Sequence, residues 1–522
     1  MMETTFDLKE TPAPLELREA GIVLVAPGLR GHGRYVGKRE TGQTRALTGE
    51  RGGLDDAIQE AGLEDRHTLI LEAPTPDPQP GSGTRAGLQT VENDAMLLQV
   101  PGKSDEFQFA IYTDEAGVIS FHYPRKLDTA DSLPSRAFGF PQQNQYNIPL
   151  RKARGQAEEG SRGLFGILAS KVVKIVVGKL LAPQAGKAAH WLVSKWENSQ
   201  RTFQGLHGGK DFAALMQTEP HAFDQWDSIR GNKALLFIHG TSSSTAGAFA
   251  GLQKDGNNDI PQSLYDRYAG RVLAFNHHTM SVGVADNVRQ FYEAFRQHPG
   301  EYRFDVICHS RGGLLARALT QLPDAFLAQR LDGWTRPTDV KISVDRIVFV
   351  AAPNGGTDLA RPGNVPAAVE WLANYVNMLP DGLLSISAGM LLALASAIAE
   401  AGLPHVPGLE DQGPESDLVK ALADSQIEAA RYYGFEANFT TAGGLADAAR
   451  AVGAFPAGAG LLVKKLFGDL ANDLVVPSAG VSANSHFRLA DEQVVRFKGG
   501  QVHHTNFFDQ PEIRRVLDFL PG

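Results

Sequence analysis

The stretch Phe304-Asp305-Val306-Ile307-Cys308-His309-Ser310-Arg311-Gly312-Gly313 carries the strongest structural signal in the chain. Five residues of strand character run straight into a small, glycine-rich turn, and the helical segment Leu314 to Leu319 follows at once. A serine in such a strand-to-helix turn sits in a strained backbone conformation, so glycines two positions away on either side normally give it steric room. Gly312 holds the second of these positions and Cys308 replaces the first, a departure that its small size tolerates. The turn sets the hydroxyl at the N-terminus of the next helix, where the dipole and the Arg311 N–H can stabilise a developing negative charge. Ser310 is therefore a candidate nucleophile.

A serine hydroxyl is unreactive until a base takes its proton, so the motif predicts a histidine beyond the sheet and a carboxylate to hold it. Working toward the C-terminus, Asn472-Asp473-Leu474-Val475-Val476-Pro477 offers Asp473, with Asp469 its nearest rival. Val502-His503-His504-Thr505-Asn506-Phe507-Phe508 follows, ahead of a helix predicted over Pro511 to Leu520. The small residue and apolar pair after His504 favour it over His503, and the base assignment stays open between them. Ser310, Asp473, His504 is the chain order of this class of site. Upstream, the run Ala234 to Ile238 ends in His239-Gly240-Thr241, where the Thr241 backbone N–H would be a second oxyanion donor and Gly240 would allow close approach. His277 and His278 read as ordinary loop residues, and His309 as a residue packed under the turn.

The short aliphatic runs Ala234–Ile238, Val272–Phe275, Phe304–Cys308 and Val344–Ala351 alternate with helical stretches, which predicts parallel strands joined by crossover helices. With these elements together, the chain resembles the α/β-hydrolase superfamily, and within it the lipases and esterases of bacterial type. The carrying residues are His239-Gly240-Thr241, the elbow His309 to Gly313, Val350-Ala351-Ala352-Pro353-Asn354-Gly355-Gly356-Thr357, Pro407-Gly408-Leu409 with Pro414 and Ser416, Asp473 before Val475-Val476-Pro477, and His504. The resemblance spans roughly residues 230 to 520 and leaves 1 to 220 uncovered. It implies an α/β-hydrolase fold, a mostly parallel sheet with flanking helices and a helical lid insertion. It also favours Asp473 over Asp469, since Asp-x-Val-Val-Pro is the superfamily's acid context. The implied activity is hydrolysis of carboxylic esters, lipid-like acyl esters above all, through an acyl-enzyme on Ser310. His504 would be the base, Asp473 its partner, and the Thr241 and Arg311 N–H groups the oxyanion hole, with no metal or organic cofactor. The apolar run Leu383 to Ala399 would roof the serine and present an acyl-chain groove.

Toward the N-terminus, residues 1–130 read as a β-rich domain, 131–224 as a helical connector and 225–522 as the α/β domain. Phe107 to Thr113 and Val118 to Tyr123 predict a hairpin turning at Asp114 to Gly117. Gly28 to Gly33 lacks the spacing and following acid of a dinucleotide loop and reads as a glycine-rich turn. Leu164 to Trp196 carries Lys171, Lys174, Lys179, Lys187 and Lys195 with no acidic residue, and reads as a basic, largely apolar helix. Such a helix would be buried between domains with its lysines reaching water, or would lie on anionic lipid. The second option supports a different class of function: a membrane-targeted effector or binding module with a silent or specialised hydrolase body.

Composition bounds these readings. At 522 residues, 43 % hydrophobic and 21 % charged, the chain has the makeup of folded domains rather than of disorder. Fifty Lys and Arg against fifty-nine Asp and Glu, a net charge of -9, argue against a nucleic-acid partner. The single cysteine, Cys308, excludes an intrachain disulfide and a cysteine-based zinc site. Met1 to Glu19 carries Glu3, Asp7, Glu10 and Glu16 without an apolar h-region, and Leu383 to Ala399 is short for a membrane span. The expectation is a cytoplasmic protein whose partner is a small-molecule or lipid ester, with membrane-surface contact resting on the basic segment.

Overall fold

The computed structural model describes residues 3–8, 13–26, 29, 31–37, 58, 63–72, 95–103, 105–113, 119–124, 143–149, 171–179, 193–194, 197–198, 203–217, 219–254, 256–361, 364, 406–425, 431–439, 470–484, 487–497 and 502–520. The N-terminal strands are β1 (Glu3–Leu8), β2 (Leu15–Leu17), β3 (Ile22–Val25), β4 (Gly31–Gly37), β5 (Glu64–Glu72), β6 (Ala95–Pro101), β7 (Glu106–Thr113), β8 (Ile119–His122), β9 (Gln143–Pro149) and β10 (Lys171–Lys179). They form a six-stranded sheet, β1-β4-β5-β10-β7-β8, and a four-stranded sheet, β2-β3-β6-β9. Every pairing in both is antiparallel. Alternation puts Leu69, Leu71, Val173 and Ile175 of one sheet into the same apolar core as Leu24, Met96 and Ile148 of the other. The N-terminal region is thus β-rich, and β7 pairs with β8 as a hairpin whose turn, Asp114 to Gly117, lies outside the described residues. Gly31 to Gly33 open β4 rather than forming a turn, while Gly28 and Arg30 lie outside the described residues.

The basic helix predicted within Leu164 to Trp196 is overturned over Lys171–Lys179, which is β10, an interior strand of the six-stranded sheet. Val172, Val173, Ile175, Val176 and Val177 are buried on both faces, and an apolar run without alternation reads alike for a buried strand and a buried helix. The β-branched residues decide for the strand. Lys171 and Lys174 are buried as well, and Lys174 Nζ lies 3.0 Å from Asp65 Oδ2 on the neighbouring β5. These lysines therefore offer no surface for lipid. Among the described residues, no helix is long and apolar enough to cross a membrane.

The remaining strands are β11 (Gly205–Gly208), β12 (Lys233–Ile238), β13 (Val272–Asn276), β14 (Gly300–His309), β15 (Val340–Val350), β16 (Tyr432–Ala437) and β17 (Val494–Phe497). They make a seven-stranded sheet in the order β11-β13-β12-β14-β15-β16-β17. Only β11 is antiparallel to its neighbour. Both faces are covered. Leu236, Ile238, Val306, Cys308 and Phe349 pack with helices Val284–Ala294 and Gly312–Gln321 on one side. Leu235, Phe237, Ile307, Val348 and Val350 pack with helix Ile260–Arg267 and the C-terminal residues on the other. This is an α/β unit with a mostly parallel sheet. The C-terminal helix expected over Pro511 to Leu520 is a 3-10 turn, Pro511–Arg515, continued by a short α-helix, Val516–Phe519.

The strand order places the loops that carry the candidate site residues. From β12 the chain first moves outward to β13 and then returns to lay β14 on the other side of β12. Where winding reverses, the loops leaving the carboxyl ends of neighbouring strands diverge and open a crevice. The loops after β12 and β14 carry His239-Gly240-Thr241 and His309 to Gly313 to that rim.

Candidate active site

Ser310 follows directly on β14 and has φ +53, a left-handed conformation costly for a side-chain-bearing residue. Its backbone is pinned at both ends, the N–H donating to Val350 O at 2.9 Å and the carbonyl accepting from Gly313 N–H at 2.8 Å. The nearby glycines are steric requirements. A Cβ on Gly312 would lie 2.4 Å from Ile238 O, and one on Gly240 would lie 2.6 Å from Ser310 Cβ. Cys308 is buried in the core, where its thiol reaches Val348 O at 3.3 Å and burial pushes its pKa up.

His504 Nε2 lies 2.9 Å from Ser310 Oγ, and its Nδ1 lies 2.8 Å from Asp473 Oδ2. An ionised carboxylate only accepts, so the proton sits on Nδ1 and Nε2 is left to accept from the serine hydroxyl. The other carboxylate oxygen, Asp473 Oδ1, accepts the N–H groups of Val475 at 2.9 Å and Val476 at 2.7 Å. The His504 N–H donates to Asp473 O at 3.0 Å, which ties the histidine loop to the acid loop through backbone as well. Ser310, His504 and Asp473 are all buried, so the chain of hydrogen bonds lies largely out of water.

His503 points elsewhere: its N–H donates to Asn506 Oδ1 at 2.8 Å and its Nδ1 lies 3.2 Å from Thr505 Oγ1. Burial pushes its pKa down to about 4. His309 does pack under the turn. Its Nε2–H donates to His504 O at 2.8 Å, and burial, then the neighbouring His504, push it down to about 3. The rival acid Asp469 and the apolar run Leu383 to Ala399 lie outside the described residues.

Of the two oxyanion candidates, neither the Thr241 nor the Arg311 backbone N–H has an acceptor among the described residues. The Thr241 hydroxyl donates to Gln412 Oε1 at 3.2 Å. The next residue, Ser242, has φ +52 and donates its N–H to Thr279 Oγ1 at 2.8 Å. His277 is no bystander in packing, for it stacks on His239 at 4.3 Å directly behind this loop. The Arg311 side chain is fully buried and donates from Nη2 to Val282 O at 2.8 Å, with burial lowering its pKa. Gln412 and the Arg311 guanidinium beside the site were not singled out from the sequence, nor was Glu197, whose carboxylate accepts the N–H groups of Thr279, Met280 and Ser281. Gln412 sits in the Pro407 to Ser416 segment that the resemblance singles out, but nothing in the sequence marks Glu197.

Residues 205–521, more than half of the chain, match the family described as Domain of unknown function (DUF7379). The chain belongs to this family. The DUF7379 match covers the whole seven-stranded sheet and every site residue named so far except Glu197. No protein of curated function matches the chain in sequence. Among solved structures it is similar to Phospholipase PlaB from Legionella pneumophila, with 17% identity over 48% of this chain and 45% of that one, at a TM-score of 0.29. Lipase 1 from Pelosinus fermentans is 12% identical over 55% of this chain and 98% of its own, at 0.36. Esterase B from Lactobacillus rhamnosis is 10% identical over 64% and 94%, at 0.27. The chain thus spans less than half the length of the phospholipase. Likeness this distant carries no argument about the chemistry of the DUF7379 domain.

Proposed function

We propose that the protein is a serine hydrolase of the α/β-hydrolase fold that cleaves carboxylic esters. The observation that carries this reading is the hydrogen-bonded series Ser310 Oγ to His504 Nε2 at 2.9 Å and His504 Nδ1 to Asp473 Oδ2 at 2.8 Å. His504 takes the hydroxyl proton as Ser310 Oγ bonds to the ester carbonyl carbon, and the Asp473 carboxylate stabilises the imidazolium. The oxyanion is held by the Thr241 and Arg311 N–H groups, both without a protein acceptor among the described residues. Collapse expels the alcohol, which takes the proton from His504. Water, deprotonated by the same imidazole, then releases the acid and restores Ser310.

The preferred substrates in this reading are lipid-like acyl esters, a preference supported by the apolar composition of Leu383 to Ala399 between β15 and β16. The silent, membrane-targeted reading loses its main support, because Lys171 and Lys174 are buried in a sheet. Fluorophosphonate labelling of the wild type and of Ser310→Ala tests the nucleophile: labelling that persists in the variant sinks it. A series of p-nitrophenyl esters tests the substrate class, for which decanoate must outpace acetate in kcat/KM.

A further inference from the structure

Glu197 precedes the family domain, yet its buried carboxylate is bonded to the loop that follows β13. Oε1 accepts the N–H of Thr279 at 2.7 Å and of Met280 at 2.9 Å. Oε2 accepts the N–H of Ser281 at 2.8 Å together with the Ser281 hydroxyl. The Thr279 hydroxyl lies 3.4 Å from the same Oε1 and accepts the Ser242 N–H at 2.8 Å. A hydroxyl carries one proton and two lone pairs. Turning the Thr279 proton toward the carboxylate turns a lone pair toward Ser242. The result is a relay from Glu197 through Thr279 to the residue that follows Thr241, one held at φ +52.

We propose that Glu197 is a positioning residue for the oxyanion side of the Ser310 site, an inference that rests on the ester-hydrolase reading. It touches neither substrate nor the reacting atoms. Its carboxylate fixes the backbone of residues 279–281 and the Thr279 hydroxyl, which holds Ser242 and with it the direction of the Thr241 N–H. The same loop is gripped from the other side, where the Arg311 guanidinium donates to Val282 O at 2.8 Å. Gly408 is pressed against it too, with its N–H bonded to Met280 O at 3.0 Å and no room for a Cβ beside Thr279 O. The two oxyanion donors belong to separate loops, and this braced segment between them sets how far apart they stand. A residue outside the family domain therefore completes its site.

The test uses the full chain as wild type, Glu197→Gln, Thr279→Val, Thr279→Ser, and Glu197→Gln with Thr279→Val combined. The readouts are p-nitrophenyl butyrate kinetics and the rate of fluorophosphonate labelling at Ser310. Glu197→Gln and Thr279→Val should each lower kcat by on the order of tenfold or more with KM within about twofold, the mark of an interaction that matters in the transition state. The double variant should be no slower than its slower parent, because both changes break one relay. Thr279→Ser, which keeps the hydroxyl, should recover most of the rate. A Glu197→Gln kcat within about twofold of wild type, a loss confined to KM, or a double variant whose loss is the product of the singles overturns the inference. If Glu197→Gln does not fold, the contrast between Thr279→Val and Thr279→Ser decides in the same terms. Wild type that shows no Ser310-dependent labelling overturns the ester-hydrolase reading and this inference together. Wild type that labels at the same rate as Glu197→Gln overturns this inference alone.

Discussion

Gly240→Ala asks whether the close approach of the loop after β12 to Ser310 is a requirement of the proposed site. A Cβ at residue 240 would stand 2.6 Å from Ser310 Cβ, 2.9 Å from His309 O and 3.3 Å from Ser310 Oγ. Carbon atoms pack at about 3.5 to 4.0 Å, so the gap must open by roughly 1 Å. Neither obstacle can swing aside: one is backbone, and the other belongs to a residue held in the left-handed region by hydrogen bonds at both ends. Gly240 itself has no positive φ, so alanine adds bulk without backbone strain. The displacement then falls on the Thr241 N–H or on Ser310 Oγ. A misplacement of about 1 Å costs on the order of a hundredfold in rate, or about 2.7 kcal/mol of transition-state stabilisation. The assay is kcat/KM on a p-nitrophenyl ester with the second-order rate of fluorophosphonate labelling, beside a melting curve. Gly480→Ala is the control, since its Cβ would meet nothing nearer than 3.8 Å. A Gly240→Ala protein with unchanged melting and a rate within about threefold of wild type would refute the reasoning.

Asp473→Asn should lower kcat by on the order of a thousandfold or more, because the amide oxygen takes the Val475 and Val476 N–H bonds and leaves the NH2 facing His504 Nδ1. The imidazole is then held with its proton on Nε2 and cannot accept from Ser310; a variant keeping a tenth of the activity would contradict this. Acid should destabilise the fold from about pH 6.5 downward: burial pushes His239 and His309 down to about 3 and His207 to about 4, so these rings stay neutral when folded and charge when unfolded. The unfolded chain binds the extra protons, so each ring removes roughly 1.4 kcal/mol per pH unit between 6.5 and its folded value. A melting temperature that stays flat from pH 7 to pH 5 would count against it. Lys174→Glu should destabilise the N-terminal sheets by about 3–5 kcal/mol, since it removes one partner of a buried ion pair and sets a second carboxylate beside Asp65; a loss under about 1 kcal/mol in urea unfolding would show the pair to be idle.

The parts of this site that were legible in the sequence are those whose constraint is local. Ser310 announces itself because a left-handed residue between a strand and a helix needs small neighbours, and Gly312 stands where the Ile238 carbonyl would strike any side chain. The short apolar runs of β12, β14 and β15 were legible as buried parallel strands because helical stretches separate them, which leaves too little length for each run to be a helix of its own. Apolarity on both faces hid β10: Val172 to Val177 is equally apolar as helix or strand, and its buried Lys174 makes sense only with Asp65, which lies 109 positions earlier. The placement of His504 rather than His503 beside Ser310 is likewise made by partners at a distance, namely His309 donating to the His504 carbonyl and the Asp473 carbonyl accepting the His504 N–H. Glu197 and Gln412 are long-range pieces of the same kind, the second bonded across 171 positions to Thr241.

Backbone strain among the described residues is not spread evenly, and its distribution bears on function independently of the hydrogen bonds. Six non-glycine residues there have positive φ: Ser242, Ala269, Ser310, Asp332, Ala351 and Leu474. Ala269 and Asp332 end helices or turns, where the left-handed cap is an ordinary device. The other four follow strand β12, strand β14, strand β15 and the acid Asp473. Each costs of order 1–3 kcal/mol and persists only because the surroundings over-determine it. Here those surroundings are the Thr279 hydroxyl on Ser242, the Val350 carbonyl on Ser310, the Phe435 carbonyl on Ala351 and Asn472 Oδ1 on Leu474. A chain selected for stability alone would have glycine at such positions. Side chains held there at the carboxyl rim, together with Thr241 and Arg311 N–H groups that have no acceptor among the described residues, mark the place where stability is given up for geometry.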